Sequence, residues 1–154
     1  LEHERPESGS VSWLVGSFAG AAEDEKLFHG ATSYLSMLHD SERNQAYNMG
    51  LQAIADCANK AADSPLVLDL GAGTGLLAML ALRALPGSRA VACEVYGRCA
   101  ELAGRIAQVN GLADRITVVN KLASDLELGA DLPERADVCV FELFDSQLLG
   151  ESIL

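Results

Sequence analysis

A glycine-rich loop, Gly71 to Gly75 (GAGTG), directly follows a short apolar run and precedes a strongly apolar helical segment. Gly71 permits a tight turn, and Gly73 lets the backbone approach a ligand closely. The helix that begins near Thr74 offers free N–H groups and a positive dipole end, which suit a pyrophosphate or a carboxylate. The dinucleotide fingerprint has a third small residue where Leu76 stands here, so the spacing argues against NAD or FAD.

Two acidic side chains accompany this loop. Asp69 lies just before it, where it could reach a ligand's ammonium group or, equally well, cap the glycine loop. Glu94 closes the next apolar run, and a carboxylate at that strand tip can accept both hydroxyls of a ribose. The alternative interpretation of Glu94 is a solvated strand end.

A second pair of acidic residues, Glu142 and Glu151, bounds the stretch FELFDSQLLGE near the end of the sequence. Mostly apolar residues separate them, so both carboxylates would lie near an apolar edge. Their spacing alone slightly favours two ordinary surface glutamates. A position at the tip of a fourth strand, beyond the glycine loop and Glu94, makes them candidates for binding a cationic group.

These candidates need a scaffold, and the pattern of apolar residues predicts one. Apolar residues recur at helical spacing over residues 31–62, with a break expected near Asp40-Ser41. Short apolar runs predict strands at 66–70, 90–94, 115–119 and 137–142, and helices are predicted from the glycine loop to Pro86-Gly87 and over 97–109. Residues 121–135 carry little apolar periodicity. Alternating strands and helices imply parallel strands joined by right-handed crossovers, so the predicted fold class is α/β, a doubly wound parallel sheet.

Composition narrows the classes of partner. The 154 residues carry a formal net charge of −11, which disfavours nucleic acid because phosphate binding needs a basic surface. The same charge permits a basic partner such as an arginine-rich peptide, although simple solubility explains it equally well. The four cysteines are expected to be reduced, buried thiols, and the three histidines are too scattered for a zinc site. No apolar run is long enough to predict a membrane span.

Several motifs resemble one enzyme family. VLDLGAGTGLL followed by AVACEV is similar to the cofactor site of S-adenosylmethionine-dependent methyltransferases, and FELFDSQLLGE is similar to the paired-glutamate hairpin of protein arginine methyltransferases. SGSVSWL, YLSMLHDSERNQAY and VVNKLASDL match that family in order and spacing. The chain resembles the cofactor-binding half of these enzymes, closest to their monomethylating, type III branch. This implies a Rossmann-like fold, truncated before the family's β-barrel.

The resemblance implies a role for each matching position. Arg43 would pair with the carboxylate of S-adenosylmethionine, Met37 would lie along its sulfonium, and Glu94 would hold its ribose. Leu122, Ala123 and Ser124 would lie in the segment that borders the adenine. The remaining implied cofactor-binding positions are Asp69, Gly71, Ala72, Gly73, Gly75, Leu76 and Val95. No metal ion is implied, and the product would be S-adenosylhomocysteine.

By the same resemblance, Glu142 and Glu151 would bind the guanidinium of a substrate arginine. Guanidinium stays charged, and its nitrogens are poor nucleophiles. Two carboxylates can hold its N–H groups in a fixed fork, localise charge away from the attacking nitrogen and keep that nitrogen in line with the methyl group. The expected function is transfer of a methyl group from S-adenosylmethionine to the guanidino nitrogen of protein arginine, with monomethylation expected.

Family members also carry a β-barrel half, a helical arm used for pairing and a Thr-His-Trp-type loop, none of which occurs in this sequence. We expect a partly disordered N-terminal arm over residues 1–30, an incomplete methyltransferase domain over 31–154, and no activity from this segment alone. Expected partners are arginine-rich proteins or peptides, histones among the candidates, in the cytoplasm or nucleus. Neither nucleic acid nor a membrane is expected, and a dimer or pseudo-dimer is expected only in a longer parent chain. The open alternatives are a non-catalytic cofactor-binding module and a methyltransferase for another cationic acceptor.

Overall fold

A computed structural model describes residues 36–61 and 63–143 of the chain. The elements described lie in the compact unit that begins at Met37. The predicted arm over residues 1–30 lies outside the described residues, and so does Glu151. Residues 37–39 are helical, and Asp40 interrupts the helix where the sequence predicts a break.

From Ser41 onward, the described chain alternates helices and strands. Helix α1 spans Ser41–Ala61, and Asp40 caps its first turn by accepting the backbone N–H of Arg43 at 3.0 Å. The remaining elements are β1 (Leu66–Leu70), α2 (Leu76–Ala84), β2 (Arg89–Cys93), α3 (Gly97–Val109), β3 (Ile116–Val119) and β4 (Val138–Phe141). A short 3-10 helix, Ala123–Asp125, lies between β3 and β4, where the sequence pattern predicts no element.

All four strands are parallel, in the order β3-β2-β1-β4. The chain moves from β1 through β2 to β3, and then returns to the other side of β1 to form β4. The direction of winding therefore reverses at β1. This arrangement confirms the predicted doubly wound α/β class, because parallel neighbours require crossover connections.

Helix α2 contributes much of the core. Its buried side chains, Leu77, Ala78, Ala81 and Leu82, repeat at helical spacing on one face. That helix contacts α1 and the strands β1, β2 and β4. The small alanines allow the helix backbone to approach the sheet, where Val67 is fully buried. No helix among the described residues is long and apolar enough to span a membrane.

Strand boundaries differ slightly from the prediction. Strand β2 runs from Arg89 to Cys93 rather than over 90–94, and β3 begins one residue later than expected. Strand β4 also begins one residue later, and it ends at Phe141, so that Glu142 lies just beyond the strand. Glu94 still donates its backbone N–H to the carbonyl of Val119 at 3.0 Å. Its carboxylate, however, binds backbone N–H groups beyond the strand, because the chain turns there towards α3.

The prediction that all four cysteines are buried is wrong. All four are free thiols, but only Cys93 is buried; Cys57 and Cys139 are exposed, and Cys99 is intermediate. Cys139 is exposed because successive side chains of a strand point to opposite faces. Its neighbours in β4, Val138 and Val140, take the buried positions.

Candidate active site

The carboxyl ends of the four strands lie in one row. In the pairing register, Leu70 lies beside Cys93 on one side and Phe141 on the other, and Cys93 lies beside Val119. The residues that directly follow these ends therefore gather at one edge of the sheet: Gly71, Glu94, Asn120 and Glu142. Since the winding reverses at β1, this edge is a topological switch point, the place where open α/β sheets bind ligands.

The glycine loop leaves β1 through three residues with positive φ: Gly71 at 67°, Gly73 at 54° and Gly75 at 80°. Residues other than glycine rarely adopt this conformation. A Cβ atom placed on Gly71 would lie 2.6 Å from the Cδ2 atom of Leu143. The loop therefore packs tightly against the residue that follows Glu142.

Glu94 supports this loop from the end of β2. The residue is 3% exposed; Oε2 accepts the backbone N–H of Gly73 at 2.7 Å, and Oε1 accepts that of Tyr96 at 2.8 Å. Glu94 is therefore not a solvated strand end. Each carboxylate oxygen has two lone pairs, so both oxygens keep capacity to accept a hydroxyl.

Asp69 lies beneath the loop and is 1% exposed. Its Oδ2 accepts the backbone N–H of Ala78 at 2.8 Å, whereas Oδ1 has no hydrogen-bond partner. Burial raises the pKa of Asp69 to about 7; the N–H of Ala78 opposes this rise, and the charge of Glu94 adds to it. One oxygen thus ties β1 to helix α2, and the other is buried without a hydrogen-bond partner. We call Asp69, Gly71, Gly73 and Glu94 the glycine-loop corner.

Arg43 in α1 forms an ion pair with Glu142 after β4, with 18% and 30% of the two side chains exposed. Arg43 also donates to the side-chain oxygen of Asn44 at 2.8 Å, while its Nε has no hydrogen-bond partner. Its Cζ lies 5.1 Å from the ring centre of Tyr47. We call Arg43, Tyr47 and Glu142 the α1–β4 corner. The structure here joins a residue predicted to bind cofactor and a residue predicted to bind substrate.

Two residues that make contacts at this edge are not among the site residues predicted from the sequence. Asn120 donates from Nδ2 to the backbone carbonyls of Glu94 and Val95 at 2.7 and 2.9 Å, and so links the ends of β3 and β2. Tyr47 donates its hydroxyl to the carbonyl of Phe141 at 3.0 Å. The available signals are weak: Asn120 directly follows a strand, and Tyr47 stands four residues after a helical arginine.

The other predicted site residues differ in burial and in the elements that hold them. The N–H of Ala72 donates to the carbonyl of Cys93 at 2.9 Å, which fastens the loop to β2. Leu76 begins α2 and is half-buried, as is Met37, whereas Val95 is 50% exposed. The predicted adenine segment lies at the 3-10 helix after β3 and comprises Leu122, Ala123 and Ser124.

An apolar groove of about 420 Å³ also opens beside this region, between α1 and β4. Its lining includes Tyr47, Leu51, Ile54 and Val140, and Arg43 is its charged member. The groove offers few groups that could orient a polar ligand. The side chains able to do chemistry are concentrated at the strand ends instead.

Comparison with known proteins identifies the relatives of this sequence. No family model matches it. Protein arginine N-methyltransferase 7 of Rattus norvegicus is 40% identical over 97% of this chain and 21% of its own length. Protein arginine N-methyltransferase 1.6 of Arabidopsis thaliana is 39% identical over 97% of this chain and 20% of its own length. The chain thus spans about a fifth of the length of these curated relatives.

The chain is also similar in fold to solved structures of arginine methyltransferases. The Trypanosoma brucei PRMT1 enzyme–prozyme heterotetrameric complex with AdoHcy matches with a TM-score of 0.64 and 27% identity, over 78% of this chain and 35% of that chain. Arabidopsis thaliana protein arginine methyltransferase 10, in an open conformation, matches with a TM-score of 0.58 and 29% identity, over 73% of this chain and 30% of that one.

The parallel sheet with a glycine loop at its switch point is therefore the Rossmann-like fold found in these methyltransferases, as predicted. Over nearly its whole length the chain is homologous to the protein arginine N-methyltransferases, which confirms the predicted resemblance.

Proposed function

We propose that this chain is the cofactor-binding segment of an enzyme that transfers a methyl group from S-adenosylmethionine to a guanidino nitrogen of protein arginine. The observation that carries the proposal is the common register of the strand ends. It brings the glycine loop, Glu94 and Glu142 to one edge of the sheet, beside the switch point. The homology to arginine methyltransferases gives this edge its expected chemistry.

The unused hydrogen-bond donors and acceptors of the two corners fit the polar groups of S-adenosylmethionine. Its ribose hydroxyls match the unused lone pairs of Glu94. Two buried atoms have no hydrogen-bond partner: Arg43 Nε, a donor that matches the cofactor's carboxylate, and Asp69 Oδ1, an acceptor that matches its ammonium group. A bound carboxylate would take a charge-assisted hydrogen bond from Arg43. A bound ammonium would favour the ionised form of Asp69.

When bound, the cofactor supplies an activated methyl group on a sulfonium. The protein's task is then to position the acceptor nitrogen, because guanidinium is a poor nucleophile. Glu142, with Glu151 as its proposed partner, would bind the N–H groups of the substrate and hold one nitrogen in line with that methyl group. In the transfer, the bond from the nitrogen to the methyl carbon would replace the sulfur–carbon bond, and the sulfur would keep that bond's electron pair. The nitrogen would lose one proton to solvent, and the two carboxylates would stabilise the charge that remains on the methylated guanidinium.

The finer assignments form part of the same proposal. The expected product is monomethylarginine, and the expected substrates are arginine-rich proteins, histones among the candidates, in the cytoplasm or nucleus. The net charge of −11 favours cationic substrates by long-range attraction. Pairing of two catalytic segments would belong to a longer form of the protein.

Methyl transfer to an arginine-rich peptide tests this function. We would assay the chain itself and a hybrid in which it replaces the matching fifth of the rat relative. We expect labelled methyl from the hybrid, none from the chain alone, and a turnover at least about a hundredfold lower in the Glu142→Gln hybrid with nearly unchanged cofactor affinity. Normal turnover in that variant would refute the role of Glu142. A Glu101→Gln hybrid, altered at an exposed residue of α3, is the matched control.

A non-catalytic cofactor-binding module is the second candidate. The Arg43–Glu142 ion pair favours it, because Glu142 already has a guanidinium partner within the chain. This candidate predicts cofactor binding without methyl transfer by either the chain or the hybrid. Transfer by the hybrid that depends on Glu142 would exclude it.

A further inference from the structure

Tyr47 contacts both sides of the α1–β4 corner. Its ring centre lies 5.1 Å from Cζ of Arg43, within the range of a cation–π interaction. Its hydroxyl donates to the backbone carbonyl of Phe141 at 3.0 Å. Phe141 ends β4, and Glu142 follows it directly. One half-buried side chain therefore touches the arginine and fixes the peptide that precedes its acidic partner.

The helix alone does not determine where the guanidinium of Arg43 lies. Arg43 and Tyr47 are four residues apart in α1, so their side chains are neighbours on the helix surface. The long arginine side chain has many rotamers, and its Nε makes no hydrogen bond. The face of the Tyr47 ring limits the rotamers open to Arg43. The hydrogen bond from the Tyr47 hydroxyl to the carbonyl of Phe141 keeps the ring in its position.

We propose that Tyr47 is a positioning residue that holds the Arg43 guanidinium in place for the cofactor's carboxylate. The inference rests on the proposed function, because it assumes that Arg43 binds this carboxylate. It extends that function by assigning a role to a residue that acts through Arg43 and not on the cofactor itself. The hydroxyl bond to the peptide before Glu142 also links the position of Arg43 to that of the substrate-binding glutamate.

A double-mutant cycle on this chain tests the proposal, with S-adenosylhomocysteine affinity measured by calorimetry. Tyr47→Leu removes ring and hydroxyl, and we expect an affinity about tenfold weaker. Tyr47→Phe keeps the ring and loses only the anchoring bond, so we expect a loss of about threefold. In an Arg43→Ala background, both substitutions should change the affinity by less than about twofold, because the group that Tyr47 positions is gone.

Met49→Leu is the matched control, since Met49 lies in the same helix and is 61% exposed; its affinity should equal that of the wild type. Equal losses in the wild-type and Arg43→Ala backgrounds would overturn the proposal, because Tyr47 would then act through general stability. So would unchanged affinity in Tyr47→Phe and Tyr47→Leu. If the wild type fails to bind S-adenosylhomocysteine, the proposed function itself is wrong. If the wild type binds but the Tyr47 substitutions show no dependence on Arg43, only the positioning role of Tyr47 is wrong.

Discussion

The two corners of the candidate site are built in different ways. In the glycine-loop corner, the carboxyl groups of Asp69 and Glu94 are almost fully buried; Asp69 accepts one backbone N–H group and Glu94 accepts two. In the α1–β4 corner, Arg43 and Glu142 bind each other through side chains that remain 18% and 30% exposed. The acidic side chains of the first corner thus bind main-chain groups, whereas the acidic side chain of the second binds another side chain.

This difference has consequences for stability and for function. Buried acceptors leave unpaired N–H groups when they are removed, so the glycine-loop corner should be costly to alter. Partly exposed ion pairs contribute little, because water and salt screen them. The Arg43–Glu142 ion pair can therefore separate when charged ligands arrive, while Tyr47 keeps Arg43 in place; the glycine-loop corner is preorganised throughout. We expect mutations in the two corners to differ accordingly.

Glu94→Ala should have the largest effect. It leaves the buried N–H group of Gly73 without its acceptor, at about 1–3 kcal/mol, and frees the partly buried N–H group of Tyr96 at a smaller cost. The free energy of unfolding should therefore fall by about 2–4 kcal/mol. Urea unfolding monitored by circular dichroism measures this change. The exposed Glu101→Ala in α3 is the control. A loss below about 1 kcal/mol would remove the contrast between the two corners.

Asp69 should make stability depend on pH. Its pKa rises from 3.8 to about 7 on folding, so between these values the folded state keeps a proton that the unfolded state loses. The free energy of unfolding should therefore fall as pH rises from about 4 to about 7, by at most about 4 kcal/mol. Urea unfolding at several pH values, compared between wild type and Asp69→Asn, isolates this contribution. Parallel pH profiles would contradict the burial of an unpaired carboxyl oxygen.

Gly71→Ala tests the contact between the corners. Its φ of 67° disfavours a side chain, and the added methyl would meet Leu143, next to Glu142. We expect a loss of about 1–3 kcal/mol in thermal or urea unfolding. Gly104→Ala is a matched substitution in the middle of α3, with open space around it, and should instead stabilise the chain by about 0.5–1 kcal/mol. Equal effects at the two glycines would refute the close packing.

Among the four substitutions within the two corners, Glu142→Gln should have the smallest effect on folding. The loss of its ion pair with Arg43 should cost about 1 kcal/mol or less, and high salt should reduce the difference from wild type. Glu134→Gln breaks the more exposed pair with Arg89 and should cost still less. Unfolding in urea at low and high salt checks both. A loss as large as that of Glu94→Ala would show that the α1–β4 corner is equally rigid.

The sequence predicts the glycine-loop corner well, because its parts are local. The LVLDL run, the GAGTG loop and the following apolar helix form one continuous strand–loop–helix segment, and Glu94 directly follows the next strand. The hydrogen bond from the backbone N–H of Gly73 to the Glu94 carboxylate cannot be predicted from the sequence, because it depends on how the loop turns back over β2. The unpaired oxygen of Asp69 is likewise unpredictable from the sequence, because it results from how the side chain is buried in the fold and not from the residue type.

In the α1–β4 corner, the sequence indicates Arg43 and Glu142 as candidate site residues but not Tyr47, and it predicts none of the contacts among the three. Tyr47 and Phe141 are 94 positions apart, and no periodic pattern connects α1 to β4. The sequence motifs imply separate roles for Arg43 and Glu142, because each motif describes its own position alone. Their pairing depends on the sheet order, which places β4 beside β1. The exposed side chain of Cys139 has the same origin, since only the fold determines which face of β4 is covered by the other described elements.

Calorimetry with S-adenosylhomocysteine and with NAD tests the central claim most directly, namely that the edge beyond β1 and β2 is a preorganised S-adenosylmethionine site. We expect S-adenosylhomocysteine to bind the wild-type chain at one site, to lose that binding in Glu94→Ala, and to retain it in Glu101→Ala. We expect no binding of NAD. Tight binding of NAD without binding of S-adenosylhomocysteine would contradict the assignment.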